Sequence, residues 1–299
     1  MLASVLTTIL FSFSVIFAAR SARVLGAGSA NLCRIVLATC FLAVWGHGFG
    51  AGLHGPGLPW FFLSGVVGFG LGDLALFGAL PRIGPRLAIL LTQCLAAPIA
   101  GLAEWIWLGT KLHAPDLACA AVILAGVVIA LAPDRSLKVE PKVFWIGTLF
   151  GFGSALGQAF GAVISRKANE VSMLGNFNID GGSAAYQRIL GGVLVTAIAF
   201  VLMRKIRPTT LENEPDRWKR GLPLVVGNAL AGPAFGVGCY QWALKTTPSG
   251  IVLPIVATSP LVTLVLAHFI DGERPTRRAV IGGLVAVGGA VLLKLVQSN

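Results

Sequence analysis

Ten apolar runs, each about the 20 residues that a helix needs to cross a bilayer, recur along this chain. They lie at 2–19, 29–46, 58–80, 86–108, 114–132, 143–164, 184–203, 221–243, 248–270 and 277–295. Inside a bilayer such runs must satisfy their backbone groups within the segment, which a helix does. The expected fold is therefore all-α and integral to the membrane, with ten transmembrane helices. The first run is read as a helix and not as a secretory signal, because no basic segment precedes it and nine more spans follow. Charged residues are only 12% of the 299, about half the share of a soluble domain. The net charge of +11 does not point to nucleic acid, because the basic residues sit in short turns between apolar runs, where they act as topology signals.

The chain is duplicated. From Ile83 to Leu131 and again from Thr247 to Leu293, a proline-bearing span is followed by a short turn and a Gly-bearing span. Pro98 answers to Pro260, Gly109 to Gly272 and Gly126 to Gly289. The halves expected are 1–137 and 138–299, joined by the Pro133–Lys142 linker. Five spans per half is an odd number, so the second half enters the membrane from the opposite side, and the repeats are inverted. The bases agree. Sixteen of the 23 lie in the loops after spans one, three, five, seven and nine. Only Lys111, Arg166, Lys167, Lys245 and Lys294 fall on the other face, and Arg34 and Arg188 fall within spans. The positive-inside rule makes the richer face cytoplasmic and places both termini on the opposite side. The two longest loops, Ser165–Gly182 and Arg204–Arg220, are too short for a catalytic domain.

Ionisable groups inside a span cost about 2.5–3.5 kcal/mol at a helix centre, so each is a candidate site residue. Asp73, among glycines in span three, reads either as a proton carrier or partner of a cationic group, or as half of a structural ion pair. Gln93 and Glu104 share a face of span four. Glu104 is close to the span end, where a solvated interfacial carboxylate is the simpler reading. Arg34 and Arg188 occupy matching places in the second span of each half and either fix a carboxylate or snorkel and pair with a neighbour. Gln158, Tyr186, Gln187, Asn228, Tyr240, Gln241, Thr258 and Ser259 serve as interhelical glue or as cavity lining. Pro98, Pro254 and Pro260 free backbone carbonyls in spans four and nine, which marks those helices as gating or helix-break candidates. The four-residue spacing of Gly153, Gly157 and Gly161, and of Gly147 and Gly151, predicts close helix packing. Trp105, Trp107 and Trp242 fit an interfacial belt. The five cysteines and four histidines form no metal-ligand spacing and no H-E-x-x-H set, so neither a catalytic nor a metal site is expected.

The segment LAHFIDGERPTRRAVIGGLVAVGGAVLL resembles the end of an EamA-like repeat of the drug/metabolite transporter superfamily, with its turn at Gly272, Glu273, Arg274 and Pro275. The first half keeps Leu108 and Gly109 but has Thr110 where the family usually carries glutamate, and Arg34 and Arg188 match the arginine common in the second helix of such repeats. The resemblance implies a ten-helix secondary carrier with a central cavity bounded by the first four helices of each repeat. It further implies export of a small metabolite such as an amino acid or related zwitterion, by alternating access. The partners expected are that solute, the lipid bilayer and protons as coupling ion, with no nucleic acid and no cofactor; the sequence sets no oligomeric state. A bacterial inner membrane is the expected location. The alternatives are a lipid-handling flippase and a sugar-phosphate or nucleotide-sugar antiporter. The antiporter would need more intramembrane bases than this chain has, and a membrane enzyme would need a catalytic set that is not seen.

Overall fold

The computed structural model describes residues 1–131, 140–206, 216–271 and 276–298. Most of the linker at 132–139, the stretch 207–215 and the Gly272–Pro275 turn lie outside the described residues. The described residues form ten helical spans and no strand. These are α1 (Leu2–Leu25), α2 (Ala27–Gly48), α3 (Leu58–Gly84), α4 (Leu87–Leu108) and α5 (Ala114–Leu131), followed by α6 (Pro141–Leu174), α7 (Gly181–Ile206) and α8 (Arg217–Thr246). The ninth span, α9, is built of two pieces, Ser249–Val256 and Ser259–Asp271, and α10 is Arg277–Ser298. Nine of these are long and apolar enough, over the described residues alone, to cross a membrane. The chain is an all-α integral membrane protein.

Three features depart from ten simple rods. α6 runs ten residues past the expected end at 164, so Arg166 and Lys167 stand on a helix and not in a loop. The helix continues because its polar residues find partners within the protein: Lys167 pairs with Glu170 at 3.2 Å and Asn169 donates to the Ser165 carbonyl. α3 and α4 meet at Gly84, whose φ of 75° lies in the left-handed region that glycine adopts at little cost, and the chain turns there without a loop. π-helical segments interrupt α3 at Val66–Gly72 and α8 at Leu230–Ala234. Each widens its helix locally, a distortion often found at functional sites.

Small residues set the packing. A Cβ on Gly157 would overlap the backbone of Gly72, and one on Gly161 would lie 3.0 Å from the Gly68 Cα. The glycine stripe of α6 therefore presses on the π segment of α3, the close approach its spacing predicts. α5 and α10 pair in the same way, where a Cβ on Gly126 would stand 2.6 Å from the Gly282 carbonyl oxygen. The core between them and α9 holds Ile123, Val127, Ile251, Ile255, Ala286 and Leu293. All seven tryptophans lie near helix ends. Trp45, Trp60, Trp105, Trp107 and Trp242 are on the face holding the loops after α2, α4 and α8, and Trp145 and Trp218 are on the other. Every one except Trp60 is exposed, as interfacial belts require.

Candidate functional site

Three charged side chains, Arg34, Asp73 and Arg188, gather inside the helical spans. Asp73 follows the π segment of α3, near the middle of that span, and its carboxylate lies 3.9 Å from an Nη of Arg34 on α2. Arg34 also donates to the Asn31 side chain at 2.7 Å. On the far side, Arg188 of α7 is near enough for its charge to act on Asp73, yet among the described residues its guanidinium has no hydrogen-bond acceptor and no carboxylate within 4 Å. It is 3% exposed. Its guanidinium carbon stands 4.9 Å from the ring centre of Phe69 on α3 and 5.5 Å from that of Tyr240 on α8, distances at which a cation is drawn to an aromatic face. Gly68 makes this possible, since a Cβ there would lie 2.6 Å from an Arg188 Nη. The Tyr240 hydroxyl is buried without a partner as well.

A second ionic centre differs in every respect. Glu104, at the end of α4, is 1% exposed and not a solvated interfacial group. It accepts from Arg166 Nε at 3.0 Å and from the backbone N–H of Ser249 at 2.7 Å, and the Ser249 hydroxyl donates to it as well. Arg166 also donates to the Leu244 carbonyl at 2.8 Å. One ion pair thus ties α4, α6, α8 and α9 together at the face opposite the basic loops. The same face carries a further knot. Asp180, just before α7, accepts from Ser183 through both its N–H and its hydroxyl, and from Trp45 Nε1. Partial burial pushes the Asp180 carboxyl up, but these bonds and one from the backbone of Ala51 outweigh it and hold the group below its ordinary value. Gln187 clamps the nearby loop, donating to the carbonyls of Gly52 and His54.

The remaining candidates separate cleanly. Asn228 is buried and accepts from Ser14 of α1 at 2.7 Å. Gln241 donates to Ser165, which bonds to Ser64, so a polar chain links α8, α6 and α3. Tyr186 packs edge-on against His47 at 5.5 Å. Gln93 and Gln158 are half-buried, with no hydrogen bond among the described residues. α4 runs through Pro98 unbroken, and Pro98 is exposed, so it is no helix break. Pro254 and Pro260 do flank a break, at Ala257 and Thr258. The carbonyls around it are capped: Thr258 and Thr8 donate to Ile255, and Ser12 donates to Ser259. Capping by hydroxyls of α1 is what a broken helix needs in a membrane. The two hydroxyls had a signal, as Thr8 and Ser12 lie four residues apart on one face of α1. Among the described residues no three His, Cys, Asp or Glu side chains gather as a metal site.

The model of the EamA-like transporter family matches residues 145–295, half of the chain and all but the first few residues of α6 through most of α10. The chain belongs to the EamA-like transporter family. This EamA-like protein is thus a membrane transporter of the drug/metabolite type. It shares its fold with a solved structure described only as "Crystal structure of protein", with a TM-score of 0.74 and 20% identity over 98% of this chain and 96% of that one. No curated protein matches the sequence.

Proposed function

We propose that this EamA-like protein exports a small metabolite, an amino acid or related zwitterion, by alternating access around the Arg34, Asp73 and Arg188 centre. The observation that carries the proposal is the contrast in depth between that centre and the Glu104–Arg166 pair. Charges lie within the spans, where each needs a partner to repay its cost, and Arg188 has no acceptor among the described residues. A separate ion pair closes one face above them.

The proposal includes two inverted repeats. Their support is a set of matched features: the π segments of α3 and α8, the arginines of α2 and α7, and the mating of α5 with α10. Asp73 has no counterpart, since Phe235 follows the π segment of α8. In this proposal the basic loops face the cytoplasm of a bacterial cell, both termini face away from it, and the Glu104–Arg166 pair closes the outer side.

The test is counterflow in proteoliposomes loaded with single unlabelled amino acids or polyamines, reading uptake of the labelled form. The expectation is counterflow for at least one amino acid that falls at least tenfold in Asp73→Asn. Counterflow restricted to polyamines, or none above empty liposomes for any solute, would defeat the proposal.

A further inference from the structure

Arg188 and its surroundings form a site of their own within the proposed cavity. A buried guanidinium ordinarily has a carboxylate or several carbonyls as partners, because an unpaired buried charge is costly. Arg166 meets that requirement fully, and Arg34 meets it in part, with Asn31 at 2.7 Å and Asp73 at 3.9 Å, although its Nε too is buried without a partner among the described residues. Arg188, the most deeply buried of the three, has two aromatic faces and two glycines around it. Its Nε, the Tyr240 hydroxyl and the Gln241 carbonyl oxygen are all buried without partners among the described residues. α7, α3, α6 and α8 contribute to this setting, and the glycines Gly68 and Gly161 leave the guanidinium uncrowded.

The charge count points the same way. Arg34, Asp73 and Arg188 interact with one another electrostatically and sum to one net positive charge. A single negative charge would balance them. A phosphomonoester carries about −1.5 to −2 at neutral pH and would overshoot, whereas a carboxylate matches both the charge and the planar fork of arginine. The flanking rings of Phe69 and Tyr240 offer an apolar, flat wall next to that fork.

We infer that Arg188 is the carboxylate-recognition residue of a small-solute site, with Phe69 and Tyr240 as the walls that accept an apolar or aromatic side group. The inference rests on the transport proposal for its biological meaning but not for its chemistry. Tyr240 supplies a hydroxyl donor to the same anion, and Asp73 stays beside Arg34, so the carboxylate end of the solute is what this site reads.

The experiment is a thermal-shift titration of the purified full-length protein with matched probes: L-phenylalanine, phenylacetate, L-phenylalaninamide and phenethylamine, with dihexanoyl phosphatidylglycerol as a phosphodiester arm. A ligand that binds only the folded state raises its melting temperature. The two carboxylates should raise it in a saturable way and the amide and amine should not. The response should be lost in Arg188→Gln and retained with at least tenfold weaker apparent affinity in Arg188→Lys, which keeps the charge without the fork. Equal responses to acid and amide overturn the inference, as do a response unchanged in Arg188→Gln, a response to the phospholipid alone, or none to either carboxylate. Should Arg188→Gln fail to fold, the acid–amide comparison in wild type and in Arg188→Lys decides. Carboxylate-selective binding without counterflow would sink the transport proposal and leave this site standing, while counterflow indifferent to the carboxylate would do the reverse.

Discussion

Two arginines largely withdrawn from solvent, Arg166 and Arg188, stand in one bundle and in opposite circumstances. Arg166 has a carboxylate at 3.0 Å and a carbonyl at 2.8 Å, and its partner Glu104 is completed by Ser249. Arg188 has aromatic faces and no acceptor among the described residues. Desolvation penalises both, and only the first is compensated from within the chain. A satisfied buried charge holds helices together, and an unsatisfied one waits for something the chain does not contain. Burial alone would have marked Arg188, 3% exposed, as the costlier charge beside Arg166, whose side chain is 18% exposed, and would have said nothing of which one is paired.

Glu104→Ala should show the largest effect. It leaves Arg166 without its carboxylate and with only backbone carbonyls such as that of Leu244, so the expected loss is about 3 kcal/mol of stability, read as a lower melting temperature in detergent. A neutral result would mean that the pair is not the fastener described here. Ser249→Ala is milder, at about 1–2 kcal/mol, because the backbone N–H of Ser249 still donates to Glu104.

Asp180→Asn comes next, and its effect depends on pH. The folded carboxyl lies below its ordinary value of 3.8, so its contribution is complete above that value and disappears as pH falls through the lower folded value. The gap in melting temperature between wild type and Asp180→Asn should hold from neutral pH down to about 4 and close below it. A gap that widens in acid would contradict the hydrogen bonds assigned to Asp180. Arg188→Gln should show the smallest effect on stability, within about 1 kcal/mol, because loss of the contacts with Phe69 and Tyr240 is offset by removal of an unpaired buried charge. A loss as large as that of Glu104→Ala would erase the distinction between the two arginines.

Much of this was legible in the sequence, for identifiable reasons. Helix number and approximate position follow from apolar length, since a bilayer leaves few other options. The glycine stripe of α6 predicted a close helix contact, and the fold supplies α3 as its partner. Asp73, Arg34 and Arg188 stood out because charges in apolar runs are rare. The end of α6 was not legible: Arg166, Lys167, Asn169 and Glu170 lower the local hydropathy, and their partners, Glu104 across the bundle for Arg166 and neighbours on α6 for the others, appear only in the fold. The same blind spot misread Glu104. Its distance from the span end was apparent in the sequence, but the arginine that buries it lay on a helix expected to have ended. The capping hydroxyls of α1 were visible as a four-residue spacing, but their purpose appears only once the break in α9 faces them.

The most direct test of the central claim is to fasten α4 to α9 beside the Glu104 pair without touching it. Gly101 and Gly250 face each other there, and a Cβ on Gly250 would lie 3.2 Å from the Gly101 Cα, with only the flexible end of Leu112 closer. Gly101→Cys with Gly250→Cys, in a protein whose five native cysteines are replaced by alanine, places two thiols where a disulfide spans the contact. Alternating access predicts that oxidation abolishes counterflow and that reductant restores it, because this face must open once per cycle. Counterflow that continues at full rate with the disulfide formed would contradict the account.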